Sequence, residues 1–327
     1  MASTLASRAA ATVVEIKYRL NPQHRYPTPV HDVLFGYDWV LQHLVPSRAI
    51  VRPGRSSSHV VRIGVMGELV GGSLASMLAL TECRPSGPHV AAAAVNEPIV
   101  DWVFPESATG STDSSPAGKT ARSRKKQPSF SAQANGSITT SALLQGRRTL
   151  FKKPEHYFDP FASPVLFFRS PGAEVPQESF EEPLDDFSEL ARMEQQDFHR
   201  QQLRLSALSN MAVQQAAGVT TEEASRVAPR KASRRFPRPG SGLKIPEFHI
   251  STAASSALYD QAVEFASMLR RSRMREDEAD RDEDDAPADK QKLAKDFALH
   301  VRDRAELWST GEKDVSEAAE WFKNTLD

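Results

Sequence analysis

One stretch limits what this chain can fold into: Arg62 to Leu80, RIGVMGELVGGSLASMLAL. Val60, Val61, Ile63 and Val65 form an apolar run of strand type that stops at Gly67-Glu68-Leu69-Val70-Gly71-Gly72. Leu74, Ala75, Met77, Leu78 and Leu80 follow with helical spacing. A strand that reverses into a helix within so few residues presses backbone against backbone. Glycine at Gly67 and Gly71 removes the Cβ atoms that would collide there. Strand, sharp glycine turn and helix are the context of a nucleophile elbow, written G-x-S-x-G, with serine on the turn. The central position here is Leu69.

The flanking segments supply a sheet. Thr12 to Leu20, TVVEIKYRL, alternates and is β-branched, which predicts a strand ended by Asn21-Pro22. His31-Asp32 opens a helix whose apolar face carries Val33, Leu34, Tyr37, Trp39, Val40 and Leu44, closed by Pro46. Val90 to Val95 reads as a short buried strand. Strand, helix, strand, helix, strand argues for a parallel sheet with crossover helices. The residues before Thr12 predict a small-residue helix leading into the first strand. They lack acids and contain Arg8, as a transit peptide would, but their apolar run is too weak for a secretory signal.

The pattern then breaks. Residues 106–146 are rich in Ser, Gly, Thr and Pro and are predicted to be disordered. Their basic run (Lys119, Arg122, Arg124, Lys125, Lys126) reads as solvated linker ahead of an import signal or anion patch. Order returns over Leu150 to Phe168. A charged insertion at 171–242 contains a mostly polar helix, from Phe187 to about Ala217, suited to solvent or a protein partner. Ser233 lies among Arg230, Lys231, Arg234 and Arg235, a basic-directed phosphorylation pattern that arises often by chance. Ile245 to Ile250 predicts a strand and Ala257 to Arg270 a helix. The acidic stretch at 271–295 lacks the glycine and terminal glutamate of a calcium loop and reads as a disordered insertion. A strand at Phe297 to Val301 and a helix at Val315 to Leu326 close the chain. The core is thus expected in 1–104, 147–170, 243–270 and 296–327.

Composition excludes several function classes. With 39% hydrophobic residues a core is possible, and a formal net charge of −1 gives no general pull toward nucleic acid. No apolar run approaches the roughly 20 residues of a membrane helix. The one cysteine, Cys83, excludes an internal disulfide framework and suits a reducing, cytoplasmic setting. The histidines are scattered along the chain and Cys83 stands alone, so neither a metal site nor a cofactor is expected.

Five blocks now line up: YRLNPQHRYPTPVHDVLFGYDWV at 18–40, the elbow at 62–80, NEPIVDW at 96–102, DPFASP at 159–164 and LKIPEFHI at 243–250. In that order, over about half the chain, they resemble the hormone-sensitive-lipase-like, arylacetamide-deacetylase-like branch of the α/β-hydrolases. The GELVGG turn and the long charged insertions are similar to fungal members. The resemblance implies an α/β fold, a mostly parallel sheet with helices on both faces, here truncated and interrupted by the insertions. It implies a carboxylic-ester hydrolase ancestry and an acyl or ester ligand.

Family catalysis requires a serine, an oriented histidine, an acid and oxyanion donors together. This sequence departs at each. The family's GDSAGG is Gly67-Glu68-Leu69-Val70-Gly71-Gly72, so Leu69 stands at the nucleophile position. Leu258 and Asp260 fit the end of the family's D-x-L-x-D pattern, which puts Ser256 at the acid. Arg302 to Leu307 carries no histidine where the family has one, and His300 falls within the strand itself. No HGGG-type loop precedes Thr12. The strand that carries the loop is missing too, which implies unsatisfied sheet edges between 12–20 and 60–65. Ser73, Asp260 and His300 are the residues left as substitutes. A helix-face role is the stronger reading of Ser73, and a structural role at the elbow is the stronger reading of Glu68. His24, His31 and His89 have no acid and serine at recognisable spacing.

Three readings follow. The chain is a degenerate hydrolase kept for binding or scaffolding, an ester hydrolase using Ser73, or a truncated product. In the first, Leu69 is expected at the bottom of the former acyl cleft.

Overall fold

Four parallel strands carry the architecture: β1 (Arg62–Glu68), β2 (His89–Asn96), β3 (Glu247–Ala253) and β4 (Phe297–Arg302), paired in that order. This computed structural model of the chain describes residues 2–45, 61–104, 138–172, 233–279, 297–303, 307–308 and 312–326. Apart from Gly172 they lie in one unit, Met1–Pro171 with Ser233–Asp327. A second unit, Gly172–Ala232, lies outside the described residues apart from Gly172, and so does the polar helix expected from Phe187 to about Ala217; 105–137 and 280–296 also lie outside them.

Parallel pairing demands crossovers. Helix α3 (Val70–Thr81) returns the chain from β1 to β2. The helices are α1 (Ala2–Ala9), α2 (Thr28–His43), α3, α4 (Thr140–Leu150), α5 (Tyr259–Ala279) and α6 (Glu312–Leu326). Strand alternation sends residues to two faces. Val95, Phe248 and Ile250 pack with Val33 of α2, Leu74 and Met77 of α3, and Phe265 and Leu269 of α5. Ala92 and Ala94 point the other way, against Leu5 of α1 and Val315, Ala318, Ala319 and Phe322 of α6. α3 is apolar nearly all round because it is buried from Leu74 to Leu80.

Three expectations need correction. Thr12–Leu20 is extended but pairs with no strand among the described residues. Its alternation is real: Ile16, Tyr18 and Leu20 rest on the core while their neighbours face solvent. Hydrophobic alternation therefore describes which side chains turn inward, not whether a strand partner exists. α4 begins inside the stretch expected to be disordered. Thr139 caps it by accepting the Ala142 N–H, and Leu143 and Leu150 bury its inner face. α5 continues to Ala279, past the expected boundary at 271.

A buried charge holds the middle of the core. The Arg169 guanidinium is 1% exposed, lies 2.7 Å from Asp101 and 2.9 Å from Glu264 of α5, and also donates to the Ser170 carbonyl. Gln261 of the same helix accepts the N–H groups of Val100 and Asp101 at 2.9 and 3.0 Å. The loop after β2 is thereby fixed to α5. Removing the cation leaves Asp101 buried without its partner, so Arg169→Ala should lower stability by about 3–5 kcal/mol. Glu264→Gln, at the more exposed carboxylate, should cost clearly less. Denaturation midpoints of the two variants check the order.

Candidate functional site: the elbow turn and the former acid position

The turn after β1 passes from strand to helix through Leu69. Leu69 has φ 52° and ψ −115°, a left-handed conformation that costs a side-chain-bearing residue about 1–3 kcal/mol. Neighbouring backbone over-determines it. Its N–H donates to the Asn96 carbonyl at 3.0 Å, and its own carbonyl accepts from Ser73 at 3.0 Å and Ile99 at 3.3 Å. Gly67 is obligatory: a Cβ there would lie 2.2 Å from the Gly71 carbonyl oxygen. At Gly72 a Cβ would come within 3.1 Å of Pro98. Glu68 points away from chemistry, accepting the Trp308 N–H at 2.7 Å and so binding the chain beyond β4 to the elbow. Tyr18 sits against Gly71, and burial, with Glu68 nearby, raises its hydroxyl pKa.

Ser73 occupies the first turns of α3, buried, with its hydroxyl donating to the Ala162 carbonyl at 3.0 Å. A nucleophilic serine hands its proton to a base. This one donates a hydrogen bond to a backbone carbonyl, and none of the described histidines bonds to it. A small apolar cleft, partly open to solvent, lies beside it, with Tyr26, Val30, Val70, Trp102 and Phe161 among its walls. Leu69 is not among the residues lining this cleft. The helix start turns Val70 and Ser73 toward the cleft instead.

Ser256 donates to Glu97 at 2.6 Å and accepts the Leu258 N–H at 3.1 Å. A carboxylate thus stands beside Ser256, the position expected to match the acid, but the residue just after β2 supplies it. Glu97 is fully buried and also accepts the Ala253 N–H at 2.8 Å and the Thr252 hydroxyl at 3.3 Å. Burial raises its pKa, partly offset by those donors and by Arg302. Sequence reasoning missed Glu97, although the match at Asn96-Glu97-Pro98 marked the segment. Asp260 is exposed in the first turn of α5. His300 faces α6 and stacks with His249, ring centres 4.2 Å apart, so the structure does not bring it to Leu69 or Ser256.

The histidines are not scattered in space. His249, His300 and Glu317 of α6 converge, each offering a ligand atom within 4.8 Å of the others. Parallel register sets Ser251 opposite His300, which leaves His249 two residues along on the same face. Burial, with His300 and Arg302 nearby, pushes His249 down to about 3.

Two outcomes test this geometry. Gly67→Ala should destabilise the protein by about 3 kcal/mol, because the clash is with backbone that cannot yield; thermal unfolding reads it. A carboxyl with a raised folded pKa favours folding below its unfolded pKa and loses that contribution as pH rises through the folded value. Stability should therefore fall from acid toward neutral pH relative to Glu97→Gln. Paired denaturant titrations across that range measure the difference.

A family model for the α/β hydrolase fold matches residues 1–177. Neutral cholesterol ester hydrolase 1 of Mus musculus is 36% identical over 78 residues, 24% of this chain and 17% of that protein. Esterase LipI of Mycobacterium tuberculosis is 32% identical over 83 residues, 25% of this chain and 23% of that protein. The chain thus covers under a quarter of the length of these curated relatives. A Pyrobaculum calidifontis esterase structure in its monoclinic form shares the fold at TM-score 0.50 and 16% identity, over 98% of this chain and 68% of that one. With strand, glycine turn and helix in place and more than half of its 327 residues matched, the chain belongs to the α/β-hydrolase-fold family.

Proposed function

We propose that this chain is a non-hydrolytic α/β-hydrolase-fold protein that works by binding. The observation that carries this reading is Leu69, whose side chain stands on an elbow backbone of φ 52° and ψ −115°. A hydrocarbon there supplies neither nucleophile nor proton acceptor. Ser256 at the former acid position is engaged with Glu97, and the described histidines bond to neither group. The polar groups that acyl transfer would need free are instead holding loops.

The ligand is a small hydrophobic acyl or ester compound, the class that the names of the matched relatives suggest. The cleft beside Ser73 offers only about 20 Å³ of space, far below the roughly 300–1,000 Å³ of small-molecule pockets, so a short-chain ligand would enter only by parting its walls. A protein partner through 171–242 belongs to the same reading. No helix of the described residues is long and apolar enough to cross a membrane. A reducing, cytoplasmic setting suits the single buried Cys83.

Purified protein should not hydrolyse p-nitrophenyl acetate or butyrate above a heat-inactivated control, and Leu69→Ser alone should not restore turnover. Turnover abolished by Ser73→Ala would overturn the reading and make Ser73 the nucleophile. Short-chain esters or alcohols should raise the melting temperature. No shift with any of them would remove the ligand from the proposal.

A further inference from the structure

We infer that His249, His300 and Glu317 form a binding site for a divalent transition-metal ion of the zinc class, on the α6 side of the sheet. The cleft is lined from α2, α3 and the loops after β2 and α4, whereas this cluster joins β3, β4 and α6. Two imidazoles and one carboxylate are a donor set that suits zinc and its neighbours better than calcium or magnesium, which prefer oxygen alone.

The spacing is close to what an ion needs. Bond lengths of about 2.0–2.1 Å in a tetrahedral site put ligand atoms roughly 3.3 Å apart. His300 Nδ1 and Glu317 Oε1 are already 3.5 Å apart, and all three donors fall within 4.8 Å. The Glu317 side chain is 61% exposed, so it can turn toward the imidazoles.

A second observation points to a ligand independently. His249 Nδ1 is buried and has no hydrogen-bond partner among the described residues. Its other nitrogen, Nε2, lies 3.3 Å from the Ser251 hydroxyl. Buried polar atoms are normally satisfied, so an unpartnered imidazole nitrogen calls for an explanation. Metal-bound histidines hand their second nitrogen to a neighbouring oxygen in this way. The nearby Arg302 cation is engaged by the Asn96 side-chain oxygen, and the Glu317 carboxylate brings negative charge to the cluster. Three protein ligands leave a fourth position for water, and the ion would pin α6 to the two strands it covers.

The test uses the full chain, stripped with a chelator and titrated with zinc chloride by calorimetry. We expect saturable one-to-one binding and a higher melting temperature with zinc. His300→Ala and Glu317→Gln change partly exposed side chains and leave the core intact. Each should weaken binding by at least about tenfold, since even changes to supporting residues around a metal cost that much. Trp321 stacks near His249 at 5.4 Å, so copper(II) should quench its emission, and Trp321→Phe should remove that part of the quenching. Absence of one-to-one binding, full affinity in either His300→Ala or Glu317→Gln, or quenching unaffected by Trp321→Phe would overturn the proposal.

Discussion

The left-handed backbone at Leu69 is the constraint on which the rest of the structure depends. It turns a strand into a helix in one residue, and α3 can pack on β1 and β2 only because that turn is so tight. The turn is not self-supporting. Asn96 at the end of β2 accepts its N–H, Ile99 donates to its carbonyl, and the Gly67 site admits no Cβ beside the Gly71 oxygen. Strain at one residue is therefore balanced by hydrogen bonds from a neighbouring strand. The same turn connects the sheet to its central helix, α3.

The charged groups around the C-terminal ends of the strands act in the same direction. Glu68 accepts a backbone N–H from Trp308, and Glu97 holds the turn after β3 through Ala253, Thr252 and Ser256. Arg169 fastens the segment after β2 to α5 through Asp101 and Glu264. A catalytic carboxylate must orient a base that then moves a proton. These carboxylates bond to backbone N–H groups, hydroxyls and the Arg169 guanidinium, contacts that fix loops. The consequence is that the loops following the strands are tied to one another and to α5.

Local chemistry was legible wherever it was local. The strands β1 to β4, the helices α2, α3 and α6, and the register of Leu69 between its glycines could be read from periodicity and from the glycines, because both arise from neighbours in sequence. The extent of α4 and α5 was less legible. Composition marked 106–146 and 271–295 as linker, but a Thr139 cap with Leu143 and Leu150 suffices to start a helix that tertiary packing then keeps. The unpaired state of Thr12–Leu20 was illegible in its own residues, since inward alternation looks the same with or without a strand alongside.

The sequence by itself determined the parallel α/β class and the glycine-tight turn with Leu69 at its centre, since each follows from residue type and short-range spacing. Only the tertiary structure decided what the polar residues do. Glu97 meets Ser256 across 159 residues of chain, Arg169 meets Glu264 across 95, and His249 meets His300 and Glu317 through strand register and the docking of α6. The physical reason is range: backbone periodicity is written in adjacent residues, whereas a charge or an imidazole acquires its role from whichever distant strand or helix the fold places within a few ångströms of it.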